Sequence, residues 1–135
     1  MTLAIDAPVT ITSAPAPLSV PTADYRRAVD AGARLVDLRD PADRRRGGAL
    51  LGALAVGLNE ALDALTPGQP AALRSAIPDA QWLLISEDGH DAEQLAWHLQ
   101  ARGVHGARFV IGGHRALRAA GVGGTVTGVS PDLFA

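Results

Sequence analysis

Hydrophobic and polar positions alternate along this chain in blocks that switch between two periods. "ARLVDLRD" (33–40), "QWLLIS" (81–86) and "ARFVIGG" (107–113) are short apolar runs with Leu, Val, Ile, Trp or Phe at their centres, and each reads as a buried strand. Between them lie segments of helical spacing. "DAEQLAWHLQARG" (91–103) is the clearest, with Ala92, Leu95, Ala96 and Leu99 on one stripe and Gly103 as its stop. "ADYRRAVDAG" (23–32) reads as a helix with Thr22 as N-cap and Gly32 at its end. "LNEALDAL" and "HRALRAAG" are shorter helices, and "AALRSAIPDA" (71–80) is expected to be another. Pro41–Arg46 is expected as a short helix or turn with a basic, solvated face. The small residues of "GALLGALAVG" suit a tight turn and close packing.

Strands alternating with helices predict an α/β fold: a central, mostly parallel β-sheet flanked by helices on both faces. Residues 1–17, rich in proline and alanine, are expected as an extended leader, with an edge strand at "VTIT". Residues 18–122 would form the domain and 123–135 a tail.

Composition narrows the chemistry more than the fold. At 135 residues there is room for one domain with a real core. With 47% hydrophobic and 19% charged residues the chain is globular in character, and 4% aromatics leave the core to Leu, Val, Ile and Ala. Trp82 and Trp97 are expected in core or half-buried packing. A net charge of -2 gives no reason to expect nucleic acid or an anionic membrane as partner. No apolar run approaches the roughly 20 residues of a membrane span. A cytoplasmic protein is the expectation. There is no cysteine, which removes disulfides, thiolate metal sites and cysteine nucleophiles together.

Three blocks in order carry a resemblance. "ARLVDLRDPADRRRGGALLGALAV" resembles the first signature of rhodanese-like domains, a strand ending in Asp-x-Arg. "ARFVIGGHRALRAAG" resembles their last, strand-Gly-Gly and a short helix. "LLISEDGHDAEQLAWHLQARGV" sits where those domains have strand, cysteine loop and helix. The likeness covers residues 18–122, and "RGVHGARFVIGGHRALRAAG" is especially similar to single-domain members from actinobacteria. It implies a rhodanese-like α/β fold and, for an intact member, transfer of sulfane sulfur by a loop cysteine three residues before the loop glycine. Counting back from Gly89 gives Ser86. A hydroxyl is a far weaker acid than a thiol, and oxygen cannot carry a persulfide.

Other positions depart from that pattern too. Asp91 and Ala92 stand where an arginine or serine often holds the substrate anion. Gly48-Ala49-Leu50 replaces Gly-His-Ile, and Leu117 replaces a tryptophan. The resemblance thus implies a former active-site loop at Ser86, Glu87, Asp88, Gly89, His90, Asp91 and Ala92, with Asp37, Arg39 and His114 as neighbours.

Read from the residues alone, the loop allows three chemistries. Ser86 at a strand-turn-helix bend, with His90 or His114 as base, suggests a nucleophile elbow, but Leu84 stands where that motif wants glycine. Two imidazoles with Glu87, Asp88 and Asp37 could converge on a metal, the plainer reading being solvated acids on a turn. The preferred reading is a helix start capped by its own Asp88 or Asp91, its other acids facing a basic partner. The expectation is a non-catalytic module that binds an unknown protein or small molecule, or regulates sulfur metabolism, with no metal and no cofactor. The alternative is an enzyme of hydrolytic or metal-assisted chemistry using Ser86, His90 and His114.

Overall fold

The computed structural model describes residues 18–122. The leader, the "VTIT" strand and the tail expected from the sequence lie outside these residues. In chain order the elements are β1 (Ser19–Val20), α1 (Thr22–Asp30), β2 (Arg34–Asp37), α2 (Pro41–Gly47) and β3 (Leu54–Ala55). They continue with α3 (Leu58–Ala64), β4 (Trp82–Ile85), α4 (His90–Ala101), β5 (Ala107–Val110) and α5 (Gly113–Ala120). The strands form one sheet in the order β1-β5-β4-β2-β3, and every pairing is parallel.

The central strands read as unbroken apolar runs because both faces of the sheet are covered. Val36, Trp82, Leu84 and Phe109 pack on one face against Ala61 and Leu65 near α3 and against Ala92, Leu95, Ala96 and Leu99 of α4. Leu35, Leu83, Ile85 and Val110 pack on the other against Tyr25 and Ala28 of α1 and Leu117 of α5. Leu83, Leu84 and Ile85 are completely enclosed. Each such side chain contributes about 1.5–3 kcal/mol relative to an exposed one, so β4 anchors both layers.

The predicted stripe on α4 is buried residue for residue. Four local expectations change. Thr22 is the first helical residue of α1, and the cap position belongs to Pro21, whose carbonyl accepts from Asp24 N–H. No helix forms over 71–80. That stretch is a series of tight turns, Ala76 N–H bonding Leu73 O and Ala80 N–H bonding Ile77 O. Pro78 lacks an amide donor and disfavours a helical Ile77, so the turns win. "GALLGALAVG" contains a strand, β3, which extends the sheet beside β2 through Val56 N–H to Asp37 O. Its two small-to-medium residues offer too short a period to see in the sequence. Trp82 is fully buried as expected, but Trp97 is 58% exposed on the outer face of α4.

The parallel arrangement brings the C-terminal ends of β2, β4 and β5 to one edge. In open α/β sheets that edge is where ligands bind. Here it gathers the segments after Asp37, Ile85 and Val110.

Candidate functional site

Ser86 leaves β4 at this edge, and the chain turns sharply through Gly89, whose φ of +92° is open to glycine at little cost. Ser86 is 4% exposed. Its Oγ accepts from Gly89 N–H and from Ala92 N–H, each at 3.1 Å. Asp88 Oδ1 accepts from His90 N–H at 3.0 Å. That amide holds the Asp88 carboxyl below the usual carboxylate range. The first turn of α4 has amides that need partners, and three of the loop's amides are met by the loop's own Ser86 and Asp88 side chains. Asp91 does not take the capping place in this arrangement; it is exposed in the first turn of α4.

The loop is locked to the start of α5. His114 N–H donates to Ser86 O at 2.9 Å and Arg115 N–H to Glu87 O at 3.0 Å. Arg115 Nε also reaches Glu87 Oε2 at 3.3 Å. The two turns approach so closely that a Cβ on Gly113 would run into Ser86 O.

Asp37, Arg39 and His114 lie beneath this loop as a closed polar core, with exposures of 2%, 3% and 0%. Arg39 Nε and Nη2 clasp the Asp37 carboxylate at 3.0 and 2.9 Å. Nη2 also donates to Gly48 O at 2.8 Å, and Nη1 stands 3.2 Å from His114 Nδ1. Arginine has only donors, so this Nδ1 is the acceptor and the ring is neutral there. Burial, and then the Arg39 charge, hold the His114 pKa below its ordinary value. The Asp-x-Arg pair and the histidine therefore brace the β2–α2 turn against the Ser86 loop; Asp37 and His114 stay out of the cavity lining, which Arg39 joins while clasping Asp37. His90 is exposed, on the first turn of α4. Among the described residues no group of three or more His, Asp and Glu side chains is placed to hold a metal ion.

Above Ser86 opens a cavity of about 590 Å³. Ser86 lies at its base, and Leu38, Pro41, Ala55 and Leu58 give it apolar walls. Asp40, Asp43, Glu60, Glu87 and Asp91 bring carboxylates to it. Asp40 caps α2 by accepting from Asp43 N–H at 2.8 Å, and Asp43 pairs with Arg46. The contributions of the β3–α3 segment, Ala55 through Glu60, are absent from the sequence-level site. They come from 26 to 31 residues before Ser86 in the chain, and only the added strand β3 brings them near.

No family model matches the chain, and no curated protein matches its sequence. Solved structures do match its fold. A protein of unknown function from Rhodopseudomonas palustris, described as a possible tyrosine phosphatase, superposes with a TM-score of 0.70 at 24% identity, covering 87% of this chain and 89% of that one. The rhodanese-like domain of an Anabaena protein gives 0.65 at 16% identity, covering 83% and 80%. The human single-domain sulfurtransferase gives 0.63 at 22% identity, covering 77% and 97%. The chain therefore has the rhodanese-like α/β fold. Among its described residues, no helix is long and apolar enough to cross a membrane.

Proposed function

We propose that this chain is a non-catalytic module with the rhodanese-like fold, and that its working surface is the cavity above Ser86, where it binds a partner or small ligand. One observation carries the reading. The Ser86 hydroxyl accepts from the Gly89 and Ala92 amides and Asp88 from the His90 amide, so three of the loop's donors that could cradle an anionic substrate are already engaged from within. Carboxylates outnumber the guanidiniums of Arg39 and Arg44 in the lining, with Glu87 and Asp91 on the loop itself, which opposes both a thiolate and an anionic sulfur donor. A regulatory setting in sulfur metabolism follows from likeness to a sulfurtransferase and from nothing in these side chains.

Hydrolytic or metal-assisted chemistry has less behind it. A base must reach the nucleophile's proton. His114 is enclosed with Nδ1 turned to Arg39, and His90 projects from an exposed position.

The test is a thiosulfate:cyanide sulfurtransferase assay on the wild type and on Ser86→Cys. Neither should turn over appreciably. Wild-type turnover abolished by Ser86→Ala would overturn the proposal. Strong recovery in Ser86→Cys would show that the acidic lining is no obstacle and that one atom separates this chain from an enzyme.

A further inference from the structure

The rim of the cavity continues onto an apolar strand edge. Strand β3 is the outermost strand beyond β2, and both of its residues are exposed. Leu54 and Leu58 are 38% and 39% exposed, and Leu58 and Ala55 also line the cavity. Val56 N–H donates to Asp37 O. By the alternation of a parallel ladder, the N–H and C=O of Ala55 then turn away from β2 toward the open edge. Natural sheets usually protect such an edge with charge, proline or a covering element. This one presents leucines.

Among the residues lining the cavity beside that edge, acids outnumber arginines five to two. Asp40, Asp43, Glu60, Glu87 and Asp91 line the cavity. The two guanidiniums there are engaged elsewhere: Arg39 on Asp37, and Arg44 donating to Arg39 O at 2.5 Å. Glu87 Oε1 is enclosed and lacks a hydrogen-bond partner among the described residues, while Oε2 receives Arg115. An entering group that carries N–H donors and a positive charge would be drawn toward the Glu87 and Asp91 carboxylates. A carboxylate or phosphate would meet more carboxylates than guanidiniums there.

Resting on the reading of this cavity as the working surface, we propose that its occupant is an extended segment of a partner protein carrying Lys or Arg beside apolar residues. The segment's backbone lies along Leu54–Ala55 as an added strand, its apolar side chains cover Leu54 and Leu58, and its cationic side chain enters toward Glu87 and Asp91. Main-chain pairing supplies a generic attraction in such strand addition, and the pocket for an alternate side chain supplies the choice of sequence.

The experiment is selection of a random-peptide display library on the full chain, followed by titration of the recovered peptides as synthetic probes. Recovered peptides should share a Lys or Arg next to apolar residues, and their affinity should fall as salt rises. Leu54→Lys and Glu87→Gln, both at partly exposed positions, should each weaken binding about tenfold or more, with Trp82 fluorescence confirming a folded chain. Failure to recover peptides above background, recovery of acidic peptides, or affinities untouched by both substitutions would overturn the proposal. So would a concentration-dependent dimer of the wild type that Leu54→Lys dissolves, since a second copy would then be the occupant. The sulfurtransferase assay separates the two readings: a chain inactive in sulfur transfer that selects no peptides loses the docking segment alone.

Discussion

Replacing Ser86 by alanine deletes one oxygen and tests the central feature of the loop. That oxygen accepts from two amides, Gly89 N–H and Ala92 N–H at 3.1 Å each, inside a residue that is 4% exposed. Loss of an N-terminal cap costs ~0.5–2 kcal/mol, and a buried donor left without a partner costs ~1–3 kcal/mol. The cavity borders Ser86, so water can reach part of the gap and offset some of the second donor's loss. The expected destabilisation is about 2 kcal/mol, which for a chain of this size lowers Tm by roughly 6–10 °C. Urea unfolding followed by the fluorescence of the enclosed Trp82 should show a lower midpoint with an unchanged m-value. Hydrogen exchange should accelerate at the Gly89 and Ala92 amides ahead of the β4 amides. A destabilisation under about 0.5 kcal/mol, typical of surface substitutions, would refute the idea that this hydroxyl holds the turn.

Three further outcomes follow from the same geometry. Asp37→Asn leaves the Arg39 guanidinium buried against a neutral amide, and should cost about 3–5 kcal/mol, read as a collapse of the urea midpoint. Gly113→Ala should also destabilise strongly, by more than the ~1–2 kcal/mol of a left-handed residue alone, because its Cβ would strike Ser86 O and its φ is +63°; a normal melting curve would contradict the close approach of the two turns. His114 sets a pH dependence. Its folded pKa lies below the ordinary histidine value of 6.5, so between those two pKa values the unfolded chain binds a proton that the native one does not. Stability is then full above that ordinary value and falls as pH drops through the window, by at most about 1.4 kcal/mol per pH unit from this one group. His114→Gln should flatten that slope in urea midpoints taken across mildly acidic pH, and an unchanged slope would count against the buried neutral ring.

Much of the architecture was legible in the chain because a strand buried on both faces must be apolar at every position. "WLLI" could hardly be anything else, and Ala92, Leu95, Ala96 and Leu99 sit at helical spacing whatever they pack against. The turn at Ser86–Ala92 was legible too, since a glycine between a strand and an amphipathic helix marks where backbone amides gather. The 71–80 segment and β3 were not. Their conformations are imposed by contacts made elsewhere: Leu73 N–H bonds Ala64 O, and β3 exists only through its ladder to β2.

The order of apolar and polar residues determined the layered α/β fold and placed oxygen at Ser86 with no cysteine anywhere in the chain. Both are local facts, set by side-chain period and by chemical identity. Tertiary structure decided what the oxygen does, giving it two amides of its own loop, and decided that Asp37, Arg39 and His114 are buried together as one polar cluster. It also set the acids of three separate segments around one cavity beside an open strand edge. Burial and the convergence of groups distant in sequence depend on how strands order in the sheet, and no local period encodes that.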